Sequence, residues 1–336
     1  MLTIQRVNPL DYSDALKSLF AANEMQALVP RFDATSTELV RTGGASWVGL
    51  DDSGGVQLHV TLVRQDFAFR GRTIRAGTLG NLVASKTYRC LFPAASLLNQ
   101  LVRDISRDAI LDFLYSDPPP ASAAVARTAG LRQFATLDRF VIPLSDPRPA
   151  QALAARAYAT ALRLGFGVVA ANCTMIDSAE YHVEQLGGTR ENSGRLLPCH
   201  SDAMYRRRLP RYPGPEYAWC EFYLRGRRGS RTHDAVGLLY GPDELKIAHV
   251  WAIRRAPGIA LSPLIPGLLR AARQRGAHRL QIETVRESNF ARELQRAGFR
   301  KRGDLIPIFG KAITPAGDEV VNAVHDWEIT AIDMER

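Results

Sequence analysis

The sequence predicts an α+β (mixed α/β) fold made of two similar domains, each with a mixed, mostly antiparallel sheet flanked by helices. Two observations support this class. Strand-like and helix-like patterns follow one another in the order strands, helix, strand, helix, strand, and this order occurs twice. Matched elements lie half the 336-residue chain apart: Leu97 and Leu264 by 167 positions, Gly130 and Gly298 by 168. We therefore predict domains at residues 1–145 and 146–336.

The first copy begins with two predicted antiparallel strands, 45–52 and 56–69, which are joined at the Ser53-Gly54-Gly55 turn. Apolar residues at helical spacing then predict a helix through "LLNQLV" (97–102). The remaining elements follow in order. They are a strand at 109–115, a short helix at 124–132 that ends in glycine, and a strand at 138–144.

The second copy repeats this pattern with "AWCEFYLRG" (218–226) and "DAVGLLYG" (234–241) as its two first strands. The later elements are a helix through 264–269, a strand at 278–284, a helix at 291–300 and a strand at 305–313. Residues 145–200 are interpreted as a linker and the first helices of this copy. The tail, 325–336, alternates Trp327, Ile329 and Ala331, which predicts an edge strand packed on the body.

Composition excludes several classes of protein. The chain has 46% apolar residues, yet no run of about 18 apolar residues that would span a membrane. The first residues lack the apolar segment of a secretory signal. The four cysteines have no CxxC spacing, which indicates reduced thiols and a cytoplasmic location. Because no zinc, Walker or EF-hand motif is present, we expect no metal ion in the site.

The net charge of +9 comes almost entirely from arginine, which forms clusters at 205–214 and 224–231. Guanidinium groups pair well with phosphates and carboxylates. A solvated face or salt bridges between domains is the favoured interpretation. An anionic substrate or RNA is the alternative interpretation.

The segment "VASKTYRCLFPAASLLNQLVRD" (83–104) predicts a strand end, a turn and an amphipathic helix. Unpaired N–H groups at a helix N-terminus bind phosphates where no side chain blocks the approach. Pro93 suits the first helical turn, and Phe92 is expected to point outward. In the second copy, Gly258 occupies the position of Phe92, in the segment Arg255-Ala256-Pro257-Gly258-Ile259-Ala260.

These features resemble the GNAT superfamily of acyl-CoA-dependent N-acyltransferases, in tandem. The family's Q/R-x-x-G-x-G/A loop is similar to residues 89–94 and 255–260, and its Gly-Phe motif matches Gly298-Phe299 and, less closely, Gly130-Leu131. The resemblance implies acetyl-CoA or another acyl-CoA as co-substrate. We expect the first copy to bind it, because that copy has the longer segment between strand and loop (five residues between Val83 and Arg89) and a continuous amphipathic helix after the loop. The implied cofactor-binding residues are Leu82, Val83, Arg89, Cys90, Leu91, Phe92, Pro93, Ala94 and Ala95, with Arg255 and Gly258 in the second copy.

Acyl transfer to an amine needs a proton acceptor for the amine and a proton donor for the thiolate. The tyrosine that the family carries before Gly-Phe is absent from both copies, so other groups must be considered. Strand residues expected to face the cleft are Asn81, Asp112, Tyr115 and Asp117 in the first copy, and Glu221, Tyr223 and Glu283 in the second. For each of them a solvent-facing or structural role is the competing interpretation.

We expect the acceptor to be a small amine that carries a carboxylate or phosphate, such as an amino acid, a peptide or a nucleotide sugar. The arginines at 205–211 would bind that anion. Two other functions stay open: a Fem-type aminoacyltransferase that uses aminoacyl-tRNA, and a non-catalytic binding protein of the same fold. No long helical arm of the Fem type is evident. Either a monomer or a homodimer is compatible with the sequence.

Overall fold

The computed structural model describes residues 2–144, 172–177, 195–199, 217–223, 235–255 and 259–330. The first half contains six strands: β1 Thr3–Val7, β2 Ala45–Leu50, β3 Val56–Phe69, β4 Arg72–Ala84, β5 Phe113–Ser116 and β6 Arg132–Pro143. Its helices are α1 Ser13–Ala22, α2 Phe32–Arg41, α3 Leu91–Asp108 and α4 Pro120–Thr128.

The described strands of the second half are β7 Asn172–Asp177, β8 Leu197–Pro198, β9 Tyr217–Tyr223, β10 Ala235–Tyr240, β11 Ile247–Arg255, β12 Arg279–Val285 and β13 Arg300–Ala312. Its described helices are α5 Ile265–Gln274, α6 Asn289–Arg296 and α7 Pro315–Asn322. The predicted alternation of strands and helices is present in both halves. None of the described helices has the length and apolar character needed to cross a membrane.

All the described strands join one sheet, in the order β1-β2-β3-β4-β5-β13-β6-β12-β11-β10-β9-β7, with β8 attached separately to β3. The last strand of each half crosses to the other half. β13 pairs antiparallel with β5, and β6 pairs antiparallel with β12. The sequence pattern did not predict this strand exchange. The domain boundary near residue 145 stays a prediction, because it falls where the described residues end.

Two neighbouring pairs of the described strands run parallel, one in each half. β4 and β5 pair from Ala76 to Thr78 and then separate. β11 and β12 pair from Ile247 to Val250 and then separate in the same way. Each half therefore has a V-shaped opening in the sheet beyond its last parallel pair.

Helix α3 covers one face of the first half, because its apolar residues recur every three to four positions and form one stripe. Leu97, Leu98, Leu101, Val102 and Ile105 are all buried against β2, β3 and α4. Full burial of a leucine contributes about 1.5–3 kcal/mol. This packing fixes the helix across the sheet, so that its N-terminus lies just beyond the end of β4.

Candidate active site

Strand β4 contains a bulge at the V-shaped opening of the first half. His59 pairs with Val83 and Thr61 pairs with Gly80, so two β4 residues, Asn81 and Leu82, face a single β3 residue. Asn81 has a φ of 50°, in the left-handed region that asparagine tolerates better than most residues. Bulges of this kind redirect side chains and are frequent beside active sites.

A cavity of about 300 Å³ lies where β4 and β5 separate. Its walls come from the β4 bulge, the segment after β5, and helices α3 and α4. The lining residues are Met25, Val60, Leu79, Gly80, Asn81, Leu82, Leu98, Ser116, Asp117, Pro118, Pro119, Ser122 and Ala126. Three of the predicted site residues, Asn81, Leu82 and Asp117, therefore meet in one cleft.

At the N-terminus of α3, some backbone N–H groups lack hydrogen-bond acceptors among the described residues. The side chain of the N-cap residue, Cys90, makes no capping hydrogen bond, and the first turn of this 18-residue helix has no acidic residue. The Cys90 N–H donates to the Tyr88 carbonyl at 2.8 Å, and Pro93 has no N–H. Among the described residues, the N–H groups of Leu91 and Phe92 thus remain as the donors of the first turn without a helical partner. Of the predicted loop amides, those of Ala94 and Ala95 belong to the helix ladder instead.

The side chains around this helix start are mostly solvent-facing. Phe92 is 75% exposed, so its ring leaves the helix N-terminus accessible, as we expected for it. Arg89 is exposed, and its guanidinium donates to the side-chain oxygen of Asn23. Val83, in contrast, is buried in the core beneath α1.

Arg255, the predicted phosphate ligand of the second half, is buried and already paired. Its Nε and Nη2 donate to the two carboxylate oxygens of Glu328 at 2.7 and 2.8 Å. Its Nη1 donates to Glu293 at 2.7 Å and to the Ile259 carbonyl at 3.2 Å. Burial acts to lower the pKa of Arg255, but the two carboxylates outweigh it and raise that pKa. Gly258 lies outside the described residues.

The V-shaped opening of the second half is filled by the chain's own residues 327–330. Thr330 donates its hydroxyl to the Trp251 carbonyl on β11 at 2.7 Å. Thr284 of β12 donates its hydroxyl to the Ile329 carbonyl at 2.7 Å. Counted from the last parallel pair of each half, Trp251 corresponds to Leu79 and Thr284 to Asp117. The segment thus occupies positions that line the cavity in the first half.

Two other candidates on or beside β5, Tyr115 and Asp112, lie outside the cleft lining. Tyr115 is fully buried in an aromatic cluster with Phe67, Phe113 and Trp327. Asp112 accepts two hydrogen bonds from the Arg75 guanidinium, at 2.9 and 3.2 Å. Burial acts to raise the pKa of Asp112, but the hydrogen bonds from Arg75 outweigh it and lower that pKa. These contacts assign Asp112 a structural position between β4 and β5.

The acidic candidates of the second half are distant from this cleft. Glu221 is buried on β9, six strands from β5 in the sheet, which corresponds to roughly 30 Å. Glu283 is buried on β12, three strands from β5, and accepts from Arg139 Nε at 3.2 Å. The Tyr223 backbone belongs to β9, and its side chain lies outside the described residues.

Sequence analysis missed a second, smaller cavity on the α1–α2 side of the sheet, of about 30 Å³. It is lined by Pro9, Phe20, Leu28, Arg31, Phe32, Thr35, Ser36, Leu39, His59, Thr61 and Asn81. Asn81 lines both cavities and therefore lies between them. The one available signal was a histidine inside the apolar strand "VQLHVTLV".

His59 is fully buried, and burial lowers its pKa to about 4, against the opposing effect of the Asn81 backbone carbonyl. The imidazole is therefore neutral at pH 7. Across the described residues, no group of three or more His, Cys, Asp or Glu is arranged to hold a metal ion.

No family model and no curated protein matches this sequence. Solved structures do match it over nearly its whole length. A GCN5-related N-acetyltransferase from Anabaena variabilis is 9% identical, with a TM-score of 0.66, over 94% of this chain and 74% of that one. Eis1 from Mycobacterium abscessus is 10% identical, with a TM-score of 0.63, over 96% and 76%.

A tandem GNAT protein from the clavulanic acid biosynthesis pathway is similar over 94% of this chain and 99% of its own. It is 14% identical, with a TM-score of 0.52. These likenesses confirm the predicted α+β class. The chain has the fold of the GCN5-related N-acetyltransferases, and its two halves find a counterpart in a tandem protein of that fold.

Proposed function

We propose that the chain is an N-acyltransferase that moves an acyl group from acyl-CoA, bound in the first-half cleft, to the amine of a small acceptor. One observation carries the choice of cleft. Of the two V-shaped openings among the described strands, the first holds a cavity of about 300 Å³, whereas residues 327–330 fill the second. The second half then serves to complete the sheet and to support the first.

The first-half cleft offers two kinds of binding group for acyl-CoA. Beyond Thr78, the β4 edge that faces β5 pairs with none of the described strands, so backbone N–H and C=O groups there are available to an amide-containing chain. The N–H groups of Leu91 and Phe92, with the nearby Arg89, form the proposed pyrophosphate site. Bound acyl-CoA would supply the reactive thioester, and Asn81 at the bulge would orient the acceptor amine beside it.

Arg31 supports an acceptor that carries a negative charge. It lines the small cavity next to Asn81, and none of the described residues forms a salt bridge with it. A guanidinium beside an amine site favours a carboxylate or phosphate on the same molecule. We therefore propose an amino acid, a short peptide or a nucleotide sugar as the acceptor class. The arginines at 205–211, which we predicted for this role, lie outside the described residues.

To test the cleft, acetyl-CoA is titrated into two matched variants of α4 and its binding is measured by isothermal calorimetry. Ser122 lines the cavity, whereas Ala124 is exposed on the same helix outside the lining. We expect Ser122→Trp to weaken acetyl-CoA binding at least about 100-fold, because the indole fills the cavity, and Ala124→Trp to leave the affinity unchanged. Equal binding by both variants would move acetyl-CoA out of this cleft.

The same preparation distinguishes the other two functions. Acetyl-CoA should raise the melting temperature, and release of the CoA thiol should require an added amine. Stabilisation by tRNA without stabilisation by CoA would indicate the Fem-type alternative instead. Stabilisation by neither ligand would indicate a non-catalytic protein. Cytoplasmic location and oligomeric state stay predictions.

A further inference from the structure

The outer surface of the second half carries four exposed arginines on two neighbouring helices. Arg270 and Arg273 lie on α5, and Arg292 and Arg296 lie on α6. Residues three or four positions apart share one side of a helix, so each pair points in one direction. None of the four forms an ion pair with a described residue. We call these four residues the basic face.

The sheet brings the two halves of the basic face together. The buried sides of α5 and α6 belong to one hydrophobic cluster, and both helices contact β12. β12 and β13, the strands that follow these helices, begin opposite Pro143 and Val141 of the same strand, β6. The last turns of both helices, which carry Arg273 and Arg296, therefore lie at the same end of the sheet.

No acidic side chain of α5 or α6 pairs with the basic face. α5 contains no acidic residue, and the one acid of α6, Glu293, turns inward to Arg255. On α3, the matching helix of the first half, Arg107 is paired with Asp108. Arg292 even lies in the first turn of α6, where the helix dipole disfavours a cation. Stabilisation of the helix therefore does not explain its position.

We propose that the basic face binds a duplex nucleic acid through its phosphate backbone, independently of the proposed acyl transfer. The planar guanidinium group pairs with two phosphate oxygens at once, and such contacts do not read the base sequence. Binding of this kind releases the counterions of the phosphates, so the affinity falls steeply as salt is added.

The distribution of exposed apolar side chains favours a nucleic acid over a membrane or an acidic protein. None of the exposed large apolar residues of the described chain lies on α5 or α6; they are Leu10, Val40, Leu91, Phe92 and Leu245. A helix that binds a membrane surface inserts apolar side chains into it. Protein interfaces are centred on buried apolar and aromatic anchors. A phosphate backbone requires only the guanidinium groups.

The test measures the fluorescence anisotropy of a short labelled DNA duplex, mixed with the full chain over a series of salt concentrations. Its phosphates stand for those of either nucleic acid. We expect binding by the unmodified protein, with a logarithmic salt slope of about −0.9 for each phosphate contacted. Arg273→Glu with Arg296→Glu should weaken binding at least about 10-fold and make the slope shallower by about 1.8.

The matched control is Arg103→Glu with Arg132→Glu, which changes the net charge by the same amount. Both arginines are exposed in the first half and form no ion pair with a described residue. The control should keep its DNA affinity within about 2-fold, because the contacts of the basic face are intact. Equal losses in the two double variants would show that net charge alone attracts DNA, and would overturn the proposal.

Two further outcomes would also overturn it. One is the absence of DNA binding by the unmodified protein at low salt. The other is tighter binding to phosphatidylserine vesicles than to DNA, which would indicate a membrane partner. If the first double variant melts at a lower temperature, Arg270→Glu with Arg292→Glu replaces it, because these residues lie outside the last helical turns. That pair should weaken DNA binding to a similar extent, and normal affinity would contradict the role of the basic face.

Discussion

Glu328 holds Arg255 with both of its carboxylate oxygens, and the two side chains are only 4% and 1% exposed. Removal of one carboxylate from a buried cation leaves its charge less well compensated in a medium of low polarity, and Arg255 then keeps Glu293 as its carboxylate partner. We expect Glu328→Gln to lower the free energy of unfolding by up to about 5 kcal/mol. Urea denaturation of the two proteins measures this difference.

The surface pair between Arg70 and Glu319 is the control for that measurement, because both side chains are substantially exposed. Glu319→Gln should lower the free energy of unfolding far less than Glu328→Gln does, since water and salt screen an exposed pair. Equal losses in the two variants would show that Glu328 contributes little through its burial.

Arg89 is expected to contribute to acyl-CoA affinity. Removal of a charged hydrogen-bond donor from a phosphate site costs about 1–3 kcal/mol, so Arg89→Ala should raise the acetyl-CoA Kd by roughly 5- to 150-fold. Arg103→Ala, at an exposed position of α3 further from the helix start, should leave the Kd unchanged. Calorimetric titration of both variants with acetyl-CoA measures the two Kd values. If Arg255→Ala abolishes binding while Arg89→Ala preserves it, acyl-CoA binds in the second half.

The left-handed backbone of Asn81 predicts opposite responses to glycine and valine. Asn81→Gly should change the free energy of unfolding by less than about 1 kcal/mol, because glycine adopts this φ without strain. Asn81→Val should lower it by about 1–2 kcal/mol or more, because a β-branched residue resists a positive φ. Guanidinium denaturation at equilibrium compares the two. A valine variant as stable as the glycine variant would mean that the bulge has been lost.

His59 predicts a pH dependence of stability. Its pKa is lowered from 6.5 to about 4 by burial, so the unfolded chain binds more protons than the folded chain between these values. Stability is complete above pH 6.5 and decreases as the pH falls from 6.5 towards 4, by at most about 3 kcal/mol. The difference in unfolding free energy between the unmodified protein and His59→Gln, measured at pH 7 and pH 4.5, should show this. Parallel pH curves would contradict it.

The hydrophobic periodicity was sufficient to predict the α+β class and the repeated order of strands, helix, strand, helix and strand, but not β1, α1 and α2, which precede that order in the first half. The stripe of α3 and the strand that ends at Ala84 follow from local patterns of apolar residues, which depend only on near neighbours in the chain. Strand pairing, in contrast, depends on residues that are far apart in the chain. The pairing of β13 with β5 joins residues nearly 200 positions apart, and nothing in either segment specifies its partner.

The site was predictable only in part, for the same reason. Asn81, Leu82 and Asp117 were found because they flank the predicted strand ends, which the fold brings together. Arg255 matched the loop motif, but its partner Glu328 lies 73 residues away and could not be inferred from spacing. His59 carried no motif at all. Its position became meaningful only when the bulge at Asn81 was placed beside it.

The exchanged strands have a consequence for how the molecule is made on the ribosome. The first half supplies β5, residues 113–116, but the strand that covers its edge, β13, is residues 300–312 and is synthesised nearly 200 residues later. Until then, a nascent first half has an open sheet edge able to pair with other chains. The β5 edge therefore stays open until residue 312 has been translated, and chains that terminate before β13 are expected to be prone to aggregation.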